Sequence, residues 1–180
     1  VSAALQAAAA EEPESGFVID VLVEDETWLR SVSGIESLVG RAAETALVRA
    51  KATAPAELCV MLADDETLRD LNARFRGKDS PTNVLSFPDD PDPIPAEAEE
   101  GPRHLGDVAL ALGTVLREAG EQGKTAADHT AHLVVHGVLH VLGYDHLTDS
   151  DAAVMEREEI AILASLGISD PYASVSAQPL

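Results

Sequence analysis

Apolar and polar residues alternate at the start of the folded part of the chain. Phe17, Ile19, Val21 and Val23 share one side of an extended segment, which predicts a strand over 17–24. The period then lengthens. Ile35, Leu38, Val39, Ala42, Ala43, Ala46, Leu47 and Ala50 recur at helical spacing over about 35–52. Trp28, just ahead of that helix, reads as packing at the edge of the core. The run 57–63 predicts a second strand, and Asp64 or Asp65 can cap a following helix through Leu68, Leu71 and Phe75. Gly77 and Pro81 punctuate a loop over 76–81. Strands are expected at 83–87 and 105–112, a short helix at about 114–119 and a longer one at about 126–142. The last helix spans about 150–166, capped by Asp149 or Ser150 with acidic residues in its first turn. The Pro- and acid-rich segment 89–102 reads as an exposed, mobile loop. Residues 1–15 are expected to be a flexible leader and 168–180 a flexible tail, which leaves 16–167 as a single domain. The order of elements predicts an α+β domain in which helices cover a small mixed sheet.

Composition narrows this picture. At 180 residues the chain can bury a core without staples. Aromatics make up 3%, so Leu, Val, Ile and Ala must do the packing. Cys59 is the single cysteine, which excludes a disulfide framework and a cysteine metal site. In its apolar run it reads as a small buried hydrophobe. No stretch approaches a transmembrane span. The Ala-rich opening has no basic residues ahead of it and is followed by Glu11, Glu12 and Glu14, so a secretory signal is not expected and the default compartment is the cytoplasm. A net charge of −20 disfavours general affinity for nucleic acid. It leaves room for a local patch: Arg69, Arg74, Arg76 and Lys78 lie close together, out of 12 Lys and Arg in all. They form either a basic edge or an ordinary exposed helix face.

The candidate chemistry lies in the stretch from His136 to His146. His136 and His140 share a helix face, one turn apart. Gly143 can end the helix in a left-handed turn and bring His146 back beside them. Three imidazoles with one open position make the ligand set of a catalytic zinc, whereas structural sites are closed by four ligands. The spacing HxxxHxxGxxH is that of the metzincin peptidases, but their general base follows the first histidine, and here that position is Gly137. Beside the metal, Arg76 has the guanidinium geometry to grip a phosphate with two hydrogen bonds, or it is a solvated loop arginine. Arg74 and Lys78 are the candidate substrate-binding cations. His132 lies one turn before His136, as a second-layer group, a proton donor or a structural histidine. Asp145 either orients a ligand imidazole or shapes a turn. Asp107 is a second-layer candidate or a sheet-edge residue. His104 and His129 are assigned to surface or loop.

Two segments, Leu71 to Pro88 with its RGKDSPTNVLSFP motif and His132 to His146 with HGVLHVLGYDH, resemble the YbeY family of bacterial metal-dependent endoribonucleases, as does Leu105-Gly106-Asp107-Val108. The resemblance runs from about Phe17 to Leu166. It implies an α+β fold with a sheet of about four strands and a metal cleft at the HxxxHxxGxxH helix. It further implies one zinc ion held by His136, His140 and His146, and a functional arginine that falls on Arg76. The activity implied is single-strand endoribonuclease, in maturation of the small-subunit rRNA 3′ end and in ribosome quality control. The partners are then rRNA and the small ribosomal subunit, with a ribosomal protein or an assembly GTPase to deliver the substrate. Neither DNA nor a membrane is expected. Two other classes share the histidines: a metalloprotease with its base somewhere other than Gly137, and a non-catalytic assembly factor whose structural zinc is closed by a fourth ligand.

Overall fold

The computed structural model describes residues 15–89 and 101–173, so the leader, most of the 89–102 segment and the end of the tail lie outside the described residues. The strands are β1 (Phe17–Val23), β2 (Ala56–Ala63), β3 (Val84–Pro88) and β4 (Arg103–Ala111). The helices are α1 (Thr27–Ser31), α2 (Ile35–Arg49), α3 (Asp65–Arg76), α4 (Leu112–Glu121), α5 (Ala126–Val141) and α6 (Asp149–Ser165). The sheet has four strands in the order β1-β2-β4-β3. β1, β2 and β4 run parallel, and β3 pairs antiparallel to β4 at the edge, so the sheet is mixed as expected.

Strand alternation decides which face each residue serves. Leu58, Val60, Leu62, Val108 and Leu110 point into the main core with Ile35, Val39 and Leu47 of α2 and Val134, Val138 and Leu139 of α5. The opposite face is covered only in part, where Leu68 of α3 meets Leu85, Ala109 and Ala111. Helix α5 is buried on several sides, because it lies between the sheet, α2, α4 and α6.

Several local expectations change. Trp28 is not at the core's edge: it is wholly buried in α1 and its Nε1–H donates to the Ala63 carbonyl at 2.8 Å. Cys59 is only half-buried, because it points to the partly covered face; burial pushes its thiol up, as do the Asp107 and Asp20 carboxylates beside it. Asp64 caps α3 by accepting from the Thr67 amide at 2.8 Å. Asp149 and Ser150 do not cap α6; both lie inside it, and Thr148 is the cap, accepting from the Asp151 amide at 3.1 Å. The start of the segment expected to be a flexible tail folds back instead. Ile168 packs on the core, Lys124 Nζ donates to the Pro171 carbonyl at 3.0 Å, and Tyr172 reaches α6. Among the described residues no helix is long and apolar enough to cross a membrane.

Candidate metal centre

The site begins with the way α5 ends. Thr125 caps its start, accepting from the Asp128 amide at 3.0 Å. At the other end Gly143, with φ +93°, takes a conformation that side chains resist. Its amide donates to the His140 carbonyl and the Tyr144 amide to the Leu139 carbonyl, both at 3.0 Å. These two bonds make a Schellman turn, which reverses the chain and lays His146 over the last turn of the helix. Ring centroids then lie 4.5 Å apart for His136 and His140, 4.9 Å for His140 and His146 and 5.8 Å for His136 and His146. One ligand atom from each histidine falls within 4.8 Å of the others.

What stands behind the rings fixes two of their tautomers. His140 Nδ1–H donates to the Tyr144 carbonyl at 2.9 Å, so the turn that returns His146 also orients His140. His136 Nδ1–H donates to Glu159 Oε1 at 2.6 Å. With both Nδ1 atoms carrying hydrogen, each ring in its neutral form presents a bare Nε2 lone pair, and the two Nε2 atoms face each other at 3.1 Å. Lone pairs repel at that distance unless a cation lies between them. A tetrahedral ion with nitrogens at about 2.0–2.1 Å would set them roughly 3.3 Å apart, so the donor set fits a metal. Burial holds the His140 pKa down, helped by His136 and His146, which keeps the imidazole neutral as a ligand must be.

Glu159 was not singled out from the sequence. It comes from α6, is fully buried and lies on the same stripe as Met155 and Ile162. A carboxylate on an apolar helical stripe is the one signal that could have found it. Burial alone would push its carboxyl up. Hydrogen bonds from His136 and Tyr172, with His132 close by, outweigh that and hold it down at about 2. The Tyr172 hydroxyl donates to Glu159 Oε2. Burial and the adjacent carboxylate raise the Tyr172 phenol, so the hydroxyl keeps its proton.

The other expected residues sort by position. Arg76 and Lys78 line a groove of about 730 Å³ together with all three histidines. Arg76 Nη2 donates to the Ser86 carbonyl at 2.9 Å, which anchors the guanidinium and leaves other N–H groups for a ligand. Arg74 is exposed and is not among the groove's lining residues. Arg69 is tied to Asp79 at 2.6 Å, so the expected basic edge shrinks. His132 stands behind the triad, its Nε2 3.6 Å from Glu159 Oε2. Asp145 shapes the turn, accepting from the His146 amide at 2.7 Å; the imidazole-orienting role belongs to Glu159 and the Tyr144 carbonyl. Asp107 does not back the metal, since it lies on the sheet face opposite Val108 and α5, 3.5 Å from His104. His129 is not on the surface: it is buried in α5 with Nε2 2.8 Å from Glu118, because α5 is covered on that side too. Among the described residues no fourth His, Cys, Asp or Glu joins the three-histidine group.

Comparison with known proteins gives one answer. The family model described as Endoribonuclease YbeY matches residues 22–167. Endoribonuclease YbeY of Rhodopseudomonas palustris is 52% identical over 172 residues, covering 90% of this chain and 89% of that protein. Endoribonuclease YbeY of Nitrobacter winogradskyi is 50% identical over 157 residues, covering 87% of this chain and 82% of that protein. A solution structure from Thermotoga maritima shares the fold with a TM-score of 0.52 at 22% identity, over 90% of this chain and 100% of that one.

Proposed function

The chain belongs to the YbeY endoribonuclease family, and from that premise we propose that it is a zinc-dependent enzyme cutting single-stranded RNA, in maturation of the small-subunit rRNA 3′ end and in ribosome quality control. The observation that carries this reading is the convergence of His136, His140 and His146 in the groove that Arg76 and Lys78 line. Three imidazole nitrogen donors, with no fourth side-chain ligand among the described residues, suit zinc in a catalytic role. When bound, zinc supplies Lewis acidity at a phosphoryl oxygen and makes water more acidic.

The rest falls to the chain. Glu159 and the Tyr144 carbonyl hold two ligand rings in register. Phosphodiester cleavage builds negative charge on the non-bridging oxygens, and Arg76, anchored at Ser86, offers its remaining N–H groups there. Lys78 adds a point charge for a neighbouring phosphate. Peptide hydrolysis needs a base to take a proton from water and hand it to an amine. The zincin position for that base is Gly137, where a Cβ would come 2.6 Å from Val108 Cγ1, so a metalloprotease would have to take its base from elsewhere in the chain. A structural zinc lacks its fourth ligand among the described residues.

With a net charge of −20, free RNA is expected to bind weakly, and a ribosomal protein or an assembly GTPase to deliver the substrate. The setting is the cytoplasm, and neither DNA nor a membrane enters the reading. The test offers purified protein, with and without chelator, a single-stranded rRNA fragment and an unfolded protein. Chelator-sensitive cutting of the RNA is expected. Arg76→Ala should keep the metal and slow cleavage by about 10²–10³-fold, while His136→Ala loses both. Cutting of the protein with the RNA intact would overturn the reading.

A further inference from the structure

His140 of the triad lines two grooves, and the reading above uses one of them. Pro88, His140, Gly143 and Tyr144 wall the groove of Arg76 and Lys78, and they also wall a second groove of about 430 Å³. Its cations are Lys51, from the turn after α2, and Arg103, the first residue of β4. Among the described residues they share it with one carboxylate, Asp89. The ion pairs among the described residues engage Arg69 and Arg117, not Lys51 or Arg103. In a chain of net charge −20, two cations converging beside the metal site from separate elements need a reason.

The backbone at Lys51 supplies a second, independent observation. Helix α2 ends in a Schellman turn, with the Lys51 amide donating to Val48 at 3.1 Å and the Ala52 amide to Leu47 at 2.9 Å. The residue at that corner must be left-handed, and Lys51 has φ +56°. Helices α3, α4, α5 and α6 are followed by Gly77, Gly123, Gly143 and Gly167, all with positive φ. Among the described residues Lys51 is the one non-glycine in that region of the map. A strained lysine stands where the same fold uses glycine elsewhere, and it is one of the residues that line the second groove.

Resting on the proposed ribonuclease function, we infer that the second groove is the other half of the RNA track. The strand crosses the three histidines with phosphates on one side held by Arg76 and Lys78, and on the other by Lys51 and Arg103. The two grooves share His140 and Tyr144 in their walls, and the strand runs over these residues from one groove into the other.

Strain and binding predict opposite signs for one substitution, which makes the test sharp. Lys51→Gly relieves the backbone and should raise Tm by about 2–4 °C. It should also weaken single-stranded RNA binding about fivefold, as for one exposed charge pair, and flatten the slope of log K against log salt by about 0.7. Arg103→Gln should reproduce the binding changes without the rise in Tm. Binding is read by fluorescence anisotropy with chelator present, so that cutting does not deplete the ligand. Unchanged affinity and slope in both variants would overturn the second groove while leaving chelator-sensitive cleavage by the wild type untouched. Normal losses of binding in a protein that cuts no RNA would instead refute the nuclease reading. No measurable binding by the wild type at low salt also overturns the inference.

Discussion

Glu159 is fully buried and carries charge, so its worth depends on what it touches. It faces His136 through one oxygen and Tyr172 through the other. The first contact makes the ring a better donor and fixes its plane; the second fixes the carboxylate. Glu159→Gln keeps the shape and removes the charge, and it should weaken metal binding by about 10–100-fold with little change in fold. Tyr172→Phe should weaken it less, and add little once Glu159 is already Gln, because its effect passes through that carboxylate. Chelator competition with Co²⁺ on the two single variants and the double variant reads this. Equal losses for Tyr172→Phe in both backgrounds would sink the relay. The convergence of the three histidines was legible in the sequence, because one turn of helix and a glycine turn fix their spacing locally. The groups behind them were less so. Glu159 is 23 residues from His136 along the chain, and nothing local says that α6 crosses there. Asp145, by contrast, is adjacent to His146, and adjacency suggested a role that its contact with the His146 amide takes instead.

Elements carry a different kind of information. The start of α3 and the end of α5 were legible through their caps, since Asp64 or Asp65 and Gly143 act on their own neighbours, whereas the Thr125 cap of α5 was not singled out. The orientation of α5 was not. Its apolar residues run nearly all the way round, so periodicity could not say which histidines face in, and His129 was assigned outward. Gly137 has the same history. Its missing side chain marked the absence of a peptidase base, but the reason it must be glycine lies across the core. There a Cβ would come 2.6 Å from Val108 Cγ1 and 3.2 Å from Ser86 Oγ, whose hydroxyl donates to the Gly137 carbonyl. Val108 is β-branched and fully buried, so it cannot swing away. Gly137→Ala gains at most about 1 kcal/mol of helix propensity and meets overpacking of roughly 1–3 kcal/mol. The clash should win, lowering stability by about 1 kcal/mol and Tm by about 2–4 °C. Since the shift moves α5 off β3 and β4, His136 moves relative to Arg76, and cleavage should fall more than metal affinity does. A variant more stable than the wild type would show that the helix–sheet contact is looser than the structure has it.

At the scale of the molecule, charge is the dominant fact. Twelve Lys and Arg against thirty-two Asp and Glu repel RNA at long range, so binding must come from a few well-placed cations. The sequence put Arg74 and Lys78 on an equal footing, because both lie within a short basic stretch. Three-dimensional placement separates them. Lys78 lies past the Gly77 turn and lines the groove, whereas Arg74 is on an exposed part of α3 outside its lining. Exposed charges far from the strand are screened within about 10 Å at 0.1 M salt. Lys78→Gln should therefore flatten the slope of log K against log salt for single-stranded RNA by about 0.7, the share of one phosphate contact. Arg74→Gln should leave that slope unchanged. Titrations of the wild type and both variants across a range of salt, with chelator present, decide it. Equal effects would mean that RNA follows the α3 surface and that the groove is not its route. A difference confined to Lys78 ties affinity to the same groove that holds the histidines and Arg76.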